Sequence, residues 1–387
     1  MKNIGIITSQ IDNYGSLLQA YALQQCLLEL NYKSEIISIN GEQFKFKNKK
    51  LKFLINRIKL ALFFLCYPNY IVPYLEIRKR KKKIDVDLNY KNICNDFRNN
   101  YLTITYIDNK KLYSSEFINN YDFFIVGSDQ IWRGANFSTS KNAFLHFAPK
   151  DKRIAYAPSF GGKIEKYNKR FYKKMIKGIK YLSIREILGA QEIKKLTQLD
   201  AVITLDPALL VTQEFWRQRM ILPDVNEDYI LCYFLNSPSE LAIKHILYLK
   251  NKYNYKIISV FSNPVLQEKF NADLFKPTPF EFLGFFANAN IIVTDSFHGC
   301  LFSIAFSKSF FVYRRQYMFI YDESSRIDSI LTLLNLNNRF IDTDNFIDNL
   351  DYIDYMKTNI LLEKRRKISR EFLENSIDSI KGDTPPQ

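Results

Sequence analysis

The chain is poor in the residues that staple or ligate. Its 387 residues include five cysteines and three histidines. The cysteines, Cys26, Cys66, Cys94, Cys232 and Cys300, are odd in number and irregularly spaced, with no C-x-x-C pair and no Cys/His cluster at metal-ligand spacing. That pattern argues against a disulfide framework and against a metal centre, and a reducing cytoplasm is the simplest compartment. Long apolar runs are scarce as well. The opening MKNIGIITSQ passes from a short apolar run straight into polar residues, with no signal-peptide core or small-residue cleavage site. One mostly apolar stretch, Leu60 to Leu75, is broken by Pro68, Asn69 and Pro73 and is shorter than the roughly 20 residues a membrane span requires.

What is present is a globular composition with 47% hydrophobic and 25% charged residues, which excludes disorder, collagen-like repeats and a polytopic membrane protein. The length sets a prior of two domains. The formal charge of +15 suggests an anionic partner until it is located on the chain. Lys45 to Lys83 holds 13 basic residues against the single acid Glu76, a net +12, and leaves only +3 for the rest. The basic field therefore belongs to one segment.

The chain alternates strand-like and helix-like runs. Lys2 to Thr8 is Ile-rich, Ser16 to Leu30 has helical spacing behind a Gly15-Ser16 loop and cap, and Ser34 to Asn40 is again strand-like, which together make a β-α-β unit. Further strands are expected at Asp122–Val126, Arg153–Tyr156, Tyr181–Ile184 and Ala201–Leu205. After the polar LPDVNED the alternation repeats: strand Tyr229–Leu235, helix Ser239–Tyr253, strand Lys256–Val260, helix Pro279–Ala289, strand Ile291–Thr294, helix Gly299–Ser307, strand Phe310–Tyr313. The expected organisation is an α/β protein with two Rossmann-like domains. The first spans residues 1–222 with a basic and apolar insertion at about 45–83, the second 223–345, and a helical tail 346–387. Such a tail could return over the first domain.

In open α/β sheets, ligands bind beyond the carboxyl ends of the strands, so the strand-end loops form a shortlist. Ser9 to Ser16 offers Gly15 for close backbone approach and a helix start for an anion, although a Gly-Ser start also serves packing alone. GSDQIW, Gly127 to Trp132, combines small residues with a carboxylate, an amide and an indole suited to a sugar, or else is a polar turn with Trp132 in the core. Asp206-Pro207 is a similar strand stop, for which a structural role is favoured. TDSFHG, Thr294 to Gly299, puts His298 at a helix entrance on the expected interdomain cleft, a position neither His146 nor His245 shares; a capping or core histidine is the competing reading. Arg314, Arg315, Arg326 and Arg339 follow and suit a carboxylate or phosphate, unless they are solvated surface arginines.

Six segments, NYGSLLQAYAL (Asn13 to Leu23), GSDQIW, AYAPSFG (Ala155 to Gly161), SIRE (Ser183 to Glu186), LDPALL (Leu205 to Leu210) and TDSFHG, resemble in this order the polysaccharide pyruvyl transferase family. The resemblance implies a GT-B-like pair of Rossmann-like domains with a cleft between them and C-terminal helices. It also implies transfer of pyruvate from phosphoenolpyruvate onto a sugar as a cyclic ketal, with no cofactor beyond that co-substrate. It places the catalytic group at His298 with Asp295, and the donor among Arg326, Arg339, Ser296, Gly299, Asn13, Gly15 and Ser16. The acceptor falls to Ser128, Asp129, Gln130, Trp132 and Ser159, with Trp132 as a stacking face. Characterised relatives often carry an Arg shortly before the histidine, where this chain has Ser296 and Phe297. The alternatives are a GT-B glycosyltransferase using a nucleotide sugar and a non-catalytic scaffold of glycan assembly.

Polybasic flanks around an apolar core at 45–83 fit docking on an anionic membrane at the cytoplasmic face, where a lipid-linked sugar acceptor would lie, or else an ordinary insertion with solvated lysines. Nucleic acid is not expected, since the basic run has no recognisable binding fold.

Overall fold

The computed structural model describes residues 1–40, 88–133, 141–164, 166–260, 264–315, 324–343 and 353–378. Seven strands build a first sheet: β1 (Asn3–Ile7), β2 (Lys33–Asn40), β3 (Ile104–Asp108), β4 (Phe123–Val126), β5 (Arg153–Ala155), β6 (Tyr181–Ile184) and β7 (Val202–Ile203). Their spatial order is β3-β2-β1-β4-β5-β6-β7, and neighbours run parallel throughout. Six strands form a second sheet: β8 (Tyr229–Tyr233), β9 (Lys256–Ser259), β10 (Asp273–Leu274), β11 (Ile291–Thr294), β12 (Ser309–Tyr313) and β13 (Phe340–Ile341). It too is wholly parallel, in the order β10-β9-β8-β11-β12-β13. Both sheets reverse their winding once, at β1/β4 and at β8/β11, and such switch points are where doubly wound sheets open a crevice.

The central strands are continuous apolar runs because helices cover both faces: FFIV, YILCY and IIVT are buried at every position. The first helix, Tyr14–Glu29, is buried almost all round. Its outer side is taken by the short helix Pro207–Leu210, by Leu88–Tyr101 and by Pro279–Asn288 of the second half. One hydrophobic cluster consequently runs through both halves, from Leu17, Tyr21 and Leu23 to Trp216, Phe280, Phe282 and Phe302.

The last described helix, Tyr355–Asp378, packs back on the first half. Leu205 N donates to Ser369 Oγ at 2.9 Å, and Arg366 donates to the carbonyls of Leu209 and Val211, both at 3.1 Å. At its end Asp378 takes Lys2 Nζ at 2.9 Å and the Tyr32 hydroxyl at 2.9 Å.

The expected alternation is present, with local differences. The first helix begins at Tyr14 with Asn13 as its cap, so Gly15 and Ser16 lie inside its first turn instead of preceding it. Likewise Ser296 caps a helix that starts at Phe297, two residues earlier than the pattern suggests. Edge strands β3, β10 and β13 were not legible in the sequence. The basic segment 45–83 lies outside the described residues, and among those described no helix is long and apolar enough to cross a membrane.

Candidate active site

Five strand-end loops of the two halves meet beyond the carboxyl ends of the sheets. After β4, Gly127 has φ +127° and no room for a side chain, since a Cβ would stand 1.9 Å from the Tyr156 carbonyl. The turn carries Ser128 and then Asp129, itself in the left-handed region at φ +61°. Ser128 Oγ lies 3.0 Å from both the Ala157 carbonyl and Asp206 Oδ2, so its one proton serves either. After β5 comes Ser159, whose hydroxyl donates to Glu186 Oε1 at 3.0 Å and accepts from Gly161 N at 2.9 Å. Arg185 and Glu186 follow β6. Asp206 follows β7 and caps Pro207–Leu210 through Ala208 N at 3.0 Å.

The second half contributes the β11 loop. Asp295 accepts backbone N–H groups of Leu235 and Asn236 at 2.8 and 3.2 Å and sits 3.5 Å from Arg315 Nε. These bonds tie the ends of β8 and β11 together. Ser296 accepts Gly299 N at 3.3 Å, and His298 stands in the first turn of the helix Phe297–Ala305. Gly299 allows that turn to pack on the strand, because a Cβ there would meet Thr294 Oγ1 at 2.3 Å. Across the cleft, Gly15 does the same for the ring of His298, which a Cβ would meet at 2.2 Å. The first turns of two helices, one from each half, therefore touch at Gly15 and His298. Asn13 and Ser296, the two caps, both interact with the Tyr233 hydroxyl.

The charges converge on the same point. Arg185, 4% exposed, is ion-paired with Asp206 through Nη1, and its Nη2 is 3.9 Å from Asp129 Oδ1. His298 Nε2 lies 3.9 Å from Asp206 Oδ2. Among the described residues, His298 Nε2 and Arg185 Nε and Nη2 are buried without a hydrogen-bond partner. Buried polar atoms in this state are costly and mark places where a ligand completes the bonding. Arg326, on the helix Ser325–Leu333 of the second half, comes to the same place: its guanidinium carbon is 5.3 Å from the centre of the Phe297 ring, and that of Arg185 is 4.3 Å from it. A small cavity beside Phe297 is lined by Arg314, Arg315 and Arg326.

Burial pushes the His298 pKa down, and Arg185 and Arg326 add to this against the opposing pull of Asp206 and Asp129. Burial would push Asp129 up, but His298, Arg185 and Arg326 outweigh it and hold the carboxyl below its ordinary value. Glu186 goes the other way: burial raises it despite Arg185, the Ser159 hydroxyl and Arg326. Burial also raises Asp295 against Arg315 and its backbone donors. A neutral imidazole, an ionised carboxylate and a fixed guanidinium thus share one enclosed volume.

Of the expected site residues, the structure brings together His298, Asp295, Ser296, Gly299, Asn13, Gly15, Arg326, Ser128 and Asp129. Ser16, beside Gly15 in the same first turn, is bonded to Ser9 Oγ at 3.0 Å, and Ser159 supports the loop through Glu186. Gln130 lies on the next position, holding Arg133 at 3.2 Å. Two placements differ. Trp132 is fully buried, stacked on Phe144 at 5.0 Å with its Nε1 given to the Ala143 carbonyl, so it has no face to offer a sugar. Arg339 lies over Phe311 and interacts with Tyr355, whose hydroxyl reaches the Ser303 and Lys308 carbonyls at the amino end of β12, the opposite end from the cleft. Arg185 and Asp206 were not among the expected site residues. Their signal was present in SIRE and LDPALL, where Arg185 directly follows β6 and Asp206 stands three residues after β7.

Two wholly parallel, doubly wound sheets with a charged site between them define a GT-B-like fold. The polysaccharide pyruvyl transferase family model matches residues 13–317, and the chain belongs to that family. In fold it is similar to the S. aureus MnaA–UDP complex, with a TM-score of 0.53 at 12% identity over 97% of this chain and 96% of that one. A putative UDP-N-acetylglucosamine 2-epimerase from Listeria monocytogenes aligns with a TM-score of 0.50 at 8% identity, covering 100% and 98% of the two chains. Comparison with curated proteins finds no match.

Proposed function

We propose that the chain transfers the pyruvyl group of phosphoenolpyruvate to two hydroxyls of a sugar in a glycan or lipid-linked glycan precursor, as a cyclic ketal with release of phosphate. The observation that carries this reading is the set of unpartnered buried polar atoms, the ring nitrogen Nε2 of His298 and the donors Nε and Nη2 of Arg185, enclosed between the two halves. Arg185 and Arg326 hold the carboxylate and phosphate of the donor, since guanidinium forks match those groups. Neutral His298 accepts the proton of the attacking hydroxyl as its oxygen bonds to C2, and returns a proton to C3. Phosphate then leaves and the second hydroxyl closes the ketal. One hydroxyl proton ends on C3 and the other on phosphate, so the balance closes without a further reagent. Asp206 and Asp129 face the imidazolium that forms in between. Ser128, Asp129 and Gln130 orient the sugar.

Docking on an anionic membrane by residues 45–83 accompanies this reading and places the protein at the cytoplasmic face, beside a lipid-linked acceptor. The described chain stops at Asn40, the carboxyl end of β2, and resumes at Leu88; Tyr90 packs edge-on against Tyr14, 5.1 Å away, next to the cleft. Sedimentation with anionic liposomes, comparing wild type with a variant lacking Arg78–Lys83, tests it, and undiminished binding of the variant removes it.

The central experiment incubates the protein with phosphoenolpyruvate and candidate acceptors and follows phosphate. His298→Gln is expected to lower release at least about 100-fold, in the range of general acid–base catalysis, with an unchanged circular dichroism spectrum. A nucleotide-sugar donor is the competing reading, prompted by the fold shared with a UDP complex. Thermal stabilisation by nucleotide sugars but not by phosphoenolpyruvate would decide for it.

A further inference from the structure

The two guanidiniums assigned to the donor come from different halves of the molecule. Arg185 follows β6 of the first sheet, and Arg326 is the second residue of the helix Ser325–Leu333 beyond the second. Two cations brought into one enclosed volume repel each other, and that repulsion grows as water is excluded. Asp206 and Asp129 compensate Arg185 on one side, and Arg326 also acts on Asp129 and on Glu186. On the other side stands an uncharged group, the Phe297 ring. It is 3% exposed, and it lies within cation–π distance of both guanidinium carbons, 4.3 Å for Arg185 and 5.3 Å for Arg326.

Phe297 is also the first residue of the helix that bears His298, and its ring stands 5.4 Å from the imidazole, edge to face. The Ser296 side chain caps its turn at Gly299 N, and the ring lines the cavity shared with Arg314, Arg315 and Arg326. One side chain thus touches both cations and the general base.

We propose that Phe297 is the positioning residue of an interdomain anion site, its ring holding Arg185 and Arg326 together as one receptor for the phosphate of the ligand. A phosphate binding there replaces the repulsion between the two cations with bonds to both, and it supplies partners to the buried donors of Arg185. The halves are thereby drawn together over the ligand. This rests on the reading of the cleft as an anion site, and not on the identity of the donor.

The test uses inorganic phosphate and phosphoenolpyruvate as separate calorimetric titrants of the full chain. Phe297→Leu keeps apolar volume and loses the π face, and it is expected to weaken phosphate binding about tenfold or more, given two cation–π contacts in a desolvated setting. Phe297→Tyr is expected to restore binding to near the wild-type level. Because the leucine variant removes core packing as well, a second series replaces Phe297 by mono-, di- and trifluorophenylalanine. There the shape is nearly constant and only the ring quadrupole falls, and phosphate affinity is expected to decline stepwise with each fluorine. Equal affinity across the fluorinated series, or a leucine variant that binds phosphate like wild type, overturns the assignment. If wild type binds phosphate but not phosphoenolpyruvate, the donor proposed above is wrong, while the fluorine series still judges Phe297.

Discussion

His298 is neutral near pH 7 because burying an imidazolium costs more than Asp206 and Asp129 return. A base of this kind loses activity only in acid. The expected kcat profile is flat at neutral and alkaline pH and falls on the acid side, with a midpoint below the ordinary histidine value near 6.5. His298→Gln should remove that limb together with the rate, as phosphate release measured from pH 4.5 to 8 will check. The same shift has a sign for stability. With the folded pKa below the unfolded one, protonation favours the unfolded chain, so this contribution is present above about pH 6.5 and is lost as pH falls through the lowered value. At this scale the sequence was only partly legible. His298 stood out by scarcity and by its strand-end position. Arg185 did not, because nothing local distinguishes a strand-end arginine that meets Asp206, 21 residues later, from one that meets water. Trp132 failed for the converse reason: an indole in a polar loop reads as accessible, and it takes Phe144 and Phe160, further along the chain, to bury it.

Helices and strands were more legible than side-chain partners, since periodicity is a local property. The buried central strands and the helices at Tyr14–Glu29, Glu240–Tyr253, Pro279–Asn288 and Phe297–Ala305 were expected within a residue or two, whereas the helices Leu88–Tyr101 and Ile187–Thr197 were not expected. The missing strands, β3, β10 and β13, are short or half-exposed edge strands whose pairing depends on a neighbour and not on their own pattern. Helix starts were misplaced by two residues because Asn13 and Ser296 cap them, whereas the following glycines looked like the breaks. Those glycines instead serve the contact between the two first turns. Gly15→Ala should therefore act on catalysis ahead of stability: alanine favours the helix, yet its Cβ would collide with the His298 ring. The expected result is a fall in kcat of at least about tenfold, equivalent to about 1.4 kcal/mol of barrier, with a urea midpoint moved little. A variant with unchanged kcat would mean that the ring position is not held from the first half.

The whole molecule is held by its last described helix as much as by its sheets. Arg366, 6% exposed, gives its guanidinium to the Leu209 and Val211 carbonyls, which lie directly behind Asp206 in the chain. Arg366→Ala leaves two buried carbonyls without donors and should cost about 2–6 kcal/mol, the sum of two such penalties of about 1–3 kcal/mol each, read from urea unfolding. It should also weaken activity through the Asp206 loop. The two-domain plan was legible from the repeated alternation, and the return of the tail was foreseen as a possibility. That its anchor would be the loop carrying a site aspartate was not, because 160 or so residues separate the partners and sequence periodicity carries no information over that distance.

The chain passes from the first sheet to the second between β7 and β8, and comes back between β13 and the helix Tyr355–Asp378. Arg185 belongs to one half and Phe297 with Arg326 to the other, so their contact joins stretches far apart in the chain. Under the proposal above, an anion held by both guanidiniums adds a noncovalent crossing to the covalent ones, and the ligand then counts among the groups that join the halves.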